Sequence, residues 1–148
     1  MTRMLFVFGM TSFLALANAG DDKARFAKFA KEMTGVKLVG HFTIDGKEGQ
    51  SQEEYTIQTV KKLPQGDLWL FTARVKYGGT NLVVPMPVPV KWAGETPVIS
   101  MTNLKIPLLG TFSAQVVLDD NRYAGTWQHG EVGGHMFGTI VRPKQPKK

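Results

Sequence analysis

The chain has 148 residues, a net charge of +6 and no cysteine. That length is material for one domain able to bury a core without staples. The missing cysteines exclude disulfides, thiolate metal sites and cysteine nucleophiles.

Residues 1–19 read as a cleavable signal peptide. Arg3 supplies the positive end, Leu5–Leu16 the apolar run, and Ala17-Asn18-Ala19 the small-x-small pattern that places cleavage before Gly20. The apolar run would span only about 18 Å as a helix, short of the roughly 30 Å hydrocarbon core of a bilayer. The expected product is a secreted or periplasmic protein with no transmembrane segment in its mature form. No cysteine follows the apolar run, which excludes a lipid-modified N-terminus. The positive charge is dispersed over Lys23, Arg25, Lys28 and Lys31 near the mature start and Lys144, Lys147 and Lys148 at the end. Such scatter fits solvated edges, and no nucleic-acid partner is expected.

Phe26, Phe29, Ala30 and Met33 recur at spacings of three and four, which predicts one amphipathic helix over 21–34. Asp21 and Asp22 suit its start, and Gly35 can take the left-handed conformation that ends it. Its two Phe rings are expected to pack on the domain. The competing reading, a basic helix lying on a membrane surface, calls for more length and a wider apolar face.

From Val36 the period changes to two, with turn residues at regular intervals. Strands are predicted at Val36–Ile44, Glu53–Leu63, Leu68–Tyr77, Leu82–Trp92, Val98–Ile106, Thr111–Asp119, Tyr123–His129 and His135–Val141. Short turns between them predict an all-β, antiparallel eight-stranded meander that forms a barrel or a sandwich. The domain is expected to cover 20–141, and Arg142–Lys148 is read as a basic disordered tail. Alternation turns Trp69, Phe71, Ala73, Val75 and Tyr77 inward, with Leu82, Val84, Met86, Val88, Val90 and Trp92, and with Phe112, Ala114, Val116 and Leu118. Pro85, Pro87 and Pro89 remove three donors from one side of the fourth strand, so a seam or an edge is expected there.

The last hairpin, NRYAGTWQHGEVGGHMFGTIV, places Gly125-Thr126-Trp127 before a Gly-rich turn and a final strand. It resembles the barrel-closing hairpins of lipocalin-like (calycin) proteins. In lipocalins the Gly-x-Trp motif lies on the first strand, whereas here it lies on the penultimate one, so the family's ligand residues are not carried over. The whole pattern also looks like that of small exported bacterial proteins, a likeness that implies the fold and no activity.

Simple register across 130–134 would set His129 opposite His135, on a face shared with Trp127 and Phe137. Adding His41 would complete a three-imidazole metal site. Alternation instead puts His41 with Lys37 and Thr43 on the other face from Phe42, so neither a metal nor a cofactor is expected. No Gly-x-Ser-x-Gly elbow or phosphate-binding loop is present, and the glycines are read as turn residues. Glu53-Glu54 and Asp119-Asp120 point to opposite faces of their strands and cannot act as acid–base pairs. No catalytic residue is assigned. Two functions remain open. One is a binding module whose pocket of Trp69, Phe71, Trp92, Tyr123, Trp127 and Phe137 holds a small hydrophobic or aromatic ligand. The other is a non-enzymatic interaction or envelope-associated structural protein with a filled interior, which the many bulky inward residues favour.

Overall fold

The computed structural model describes residues 12–143, without the side chains of residues 12–19 and of Tyr77. Arg3, the start of the apolar run and the Lys144–Lys148 end of the expected tail lie outside the described residues. So does the inward placement of the Tyr77 side chain.

Helix α1 covers Ser12–Met33. It contains the helix expected over 21–34, and the Leu and Ala before Asp21 are strong helix formers that extend it toward Ser12. The end is as expected, with Gly35 at φ 83°. Its amide donates to the Ile57 carbonyl at 2.7 Å, and the Val60 amide donates to Thr34 Oγ1 at 3.2 Å. These bonds tie the end of α1 to the irregular stretch between Ile57 and Thr59 of the second strand.

The strands are β1 (Lys37–Phe42), β2 (Ser51–Lys62), β3 (Leu68–Tyr77), β4 (Thr80–Ala93), β5 (Thr96–Ile106), β6 (Gly110–Asp119), β7 (Arg122–His129) and β8 (Val132–Val141). Each pairs antiparallel with the next, and β8 pairs with β1 to close a barrel in chain order. The tail begins docked rather than free: Arg142 Nη2 donates to the Asp120 carbonyl at 3.0 Å, which holds it to the β6–β7 turn.

Alternation assigned the inner faces well. Trp69, Phe71, Ala73 and Val75 are buried, as are Val84, Val88 and Val90, and Ala114, Val116 and Leu118. The helix closes one end of the barrel. Phe29 sets its ring edge-on against Trp69 and Trp92, with centroids 4.9 and 5.4 Å away, and Phe26 meets Trp69 at 5.4 Å. Arg25 lies over Trp92 at 4.6 Å, and Lys62 over Trp69 at 5.9 Å. One cation from the helix, Arg25, and one from β2, Lys62, thus make cation–π contacts at the rim of this plug.

The expected seam is present. Strand β4 pairs with β3 from Thr80 through Pro89, but with β5 only at Val90–Ala93. The Val90 amide donates toward the β3 side, to the Asp67 carbonyl at 2.9 Å. By alternation, Pro85, Pro87 and Pro89 are the positions whose donors would have faced β5. Beyond Pro89 the ladder stops, and facing it β5 is itself irregular between Met101 and Leu104, with Asn103 at φ 50°.

Candidate functional site

Above the helix the interior is hollow. A cavity of about 430 Å³ extends from Met33 to Ile44, Leu109, His129 and Val132 at the opposite end. The filled interior is therefore corrected. Bulky side chains face inward, but several lie along the wall.

Tyr123 shows how. Its strand neighbour is Gly138, which pairs with Gly40, which pairs with Glu53. Three strand spacings, about 14 Å along the sheet, separate β7 from β2. Tyr123 Oη nevertheless donates to Glu53 Oε1 at 2.8 Å. Its ring lies over two strands whose inner positions are glycine. A Cβ on Gly40 would come within 2.6 Å of the phenolic oxygen, and one on Gly138 within 2.8 Å of the ring. Trp127, paired with Gly134, also reaches past its neighbouring strand, with Nε1 donating to the Thr43 carbonyl at 3.1 Å; a Cβ on Gly134 would come within 2.0 Å of that same carbonyl oxygen. These strand glycines correct the reading of glycine as a turn residue only. They give the aromatic rings room to lie flat.

Glu53 is the polar centre of the site. It is 4% exposed and is the only buried charged or polar residue among the described ones. Tyr55 Oη donates to Oε2 at 2.8 Å, opposite the Tyr123 bond. Burial pushes the Glu53 carboxyl above its ordinary value of 4.5, and the two phenol hydrogen bonds pull part of the way back. Burial first, then the nearby carboxylate and its hydrogen bond, push Tyr123 well upward, so the phenol keeps its proton. Glu54 faces outward between Lys37 and Lys76, at 3.5 and 3.6 Å.

Phe71 and Trp127, expected in a pocket, line the cavity. Trp69 and Trp92 instead form the seat of the helix, and Tyr123 acts through Glu53. Phe137 is 42% exposed on the outer face, where its ring lies 6.3 Å from His41. The register set for the last hairpin is also corrected. The chain turns tightly at Gly130-Glu131, so His129 pairs with Val132 and His135 with Thr126. His129 stacks on Phe112 at 4.2 Å beside the cavity mouth, whereas His135 and Phe137 lie outside. Among the described residues no three His, Cys, Asp or Glu side chains gather to hold a metal.

At the mouth the turn residue Leu108 is 94% exposed and Val132 49%. No helix among the described residues is long and apolar enough to cross a membrane. Comparison with protein-family models, curated proteins and solved structures gave no match.

Proposed function

We propose that this is an exported binding module that holds one small hydrophobic or aromatic ligand inside its barrel. The observation that supports the reading is the cavity of about 430 Å³, lined almost wholly by apolar side chains. Pockets that enclose small molecules run from about 300 to 1,000 Å³, and an eight-stranded barrel has room for one such ligand. The resemblance of the last hairpin to those of lipocalin-like proteins leads to the same function class. The interaction reading is less well supported. It rested on a filled interior, and Pro85, Pro87 and Pro89 deny a docking strand the donors it would need beside β5.

Ala114 supplies the test. It lines the cavity at 7% exposure, so Ala114→Phe places a ring in the lumen. A hydrophobic fluorescent probe should bind the wild type at one per chain, and the variant should bind it at least roughly tenfold more weakly. Equal binding by a folded Ala114→Phe protein would place the probe on the surface and defeat the reading.

A further inference from the structure

We propose that the cavity selects ligands carrying an amine, with the Glu53 carboxylate as the counter-charge for an ammonium head and the apolar walls holding its tail. This rests on the binding-module reading and names the ligand class.

A phenol has one proton to give and an ionised carboxylate has none. The Tyr55 and Tyr123 protons are both directed at Glu53, one to each oxygen, at 2.8 Å. The group that faces the cavity is thus rich in acceptors, and its phenolic donors are already engaged. Each carboxylate oxygen has a second lone-pair site for an incoming N–H. A ligand carboxylate would meet like charge and find no donor here. An ammonium would meet a charge-assisted acceptor in a setting of low dielectric. Ser113 and His129 are the other polar side chains of the lining besides Tyr55. Ser113 Oγ is engaged with Asn103, and His129 stacks on Phe112 at the mouth, where it is exposed to solvent.

The structure holds Glu53 firmly enough to discriminate. Its carboxyl is braced from β2 by Tyr55 and from β7 by Tyr123, whose ring is laid across Gly138 and Gly40. Among the described residues, the titratable side chains facing Glu53 are those two phenols, and His129 is the other that lines the cavity. Glu54, Lys37 and Lys76 are grouped on the outer face. Because burial favours the neutral carboxyl, an arriving ammonium should displace its proton in mildly acidic solution.

The test compares n-decylamine, n-decanol and n-decanoate by titration calorimetry on the exported protein. The amine should bind at least about tenfold tighter than the decanoate. The net charge, +6 for the whole chain and +5 once Arg3 is removed, would draw the anion, so an amine preference cannot arise from the bulk field. In Glu53→Gln the preference should vanish while decanol still binds. A wild-type measurement needs no variant: the amine preference should weaken as pH falls and the Glu53 carboxyl takes up its proton. Decanoate binding as tight as the amine, or an amine preference that persists in Glu53→Gln, overturns the proposal and leaves the binding module standing. Failure of all three probes to bind overturns both.

Discussion

Phe29→Ala tests whether the helix is part of the folded core or only rests against it. Phe29 is 5% exposed, and its ring touches Trp69, Trp92 and Phe71 with centroids at 4.9, 5.4 and 6.3 Å. Removing a buried Phe ring costs about 3–5 kcal/mol, with the upper part of that range applying where neighbours cannot close the void. Here they cannot close it readily. Trp69 is fully buried on β3, and Phe71 is fixed between the seat and the cavity wall. About 4 kcal/mol is therefore expected. The end of the helix is bonded into β2 through Gly35 and Thr34, so the loss should appear in one cooperative transition of helix and barrel together. Urea unfolding followed by far-ultraviolet circular dichroism and by tryptophan fluorescence measures it. A loss below about 1 kcal/mol would show that the aromatic seat does not hold the helix. Two separate transitions would show that the barrel stands without its plug.

Three further outcomes are expected. Because burial raises the Glu53 pKa, the folded state favours the protonated form; stability is full below 4.5 and falls as pH climbs through the raised value. Urea midpoints of Glu53→Gln should lack that fall, and parallel pH slopes for the two proteins would contradict it. Gly138→Ala places a Cβ 2.3 Å from the Val39 carbonyl oxygen and 2.8 Å from the Tyr123 ring. It should cost about 1–3 kcal/mol or more by thermal or urea unfolding, and wild-type stability would refute the tight approach. Intact mass of the exported protein should place its first residue at Gly20 or within a residue or two; a species retaining Leu5–Leu16 would identify that segment as an anchor.

The strands were legible because their patterning is local. Ala73–Lys76 alternates between core and water, and the bounds of Leu68–Tyr77 needed no correction. The seam was legible for a similar reason, since a proline's missing donor is a property of the residue itself. The site was harder to see. Glu53 reads in sequence as one of two adjacent strand carboxylates, and only strand register brings it to Tyr123, seventy residues away. A signal did exist in the glycines, because Gly40, Gly134 and Gly138 lie inside strand patterns where turns do not need them, and such positions mark close approach. The hairpin register failed on turn length. Counting from His129 to His135 assumed that all five intervening residues form the loop, whereas a two-residue turn leaves Val132, Gly133 and Gly134 in the strand.

The hollow interior and the glycines are one feature. Eight strands enclose a lumen that ordinary inward side chains are able to fill. Here Tyr123 spends its length along the wall, over glycines of β8 and β1, and Tyr123 and Trp127 end on hydrogen-bond partners at Glu53 and Thr43. Those bonds orient the rings, and the glycines remove the side chains that would push them into the lumen. Met33 and the Phe29 seat close the lower end, so the space stays bounded at the helix and reaches the mouth. The same Tyr123 that keeps the lumen open also braces the carboxylate within it. On the proposed reading, ligand volume and ligand charge would be set by one contact, and a change at Gly138 or Gly40 should disturb both together.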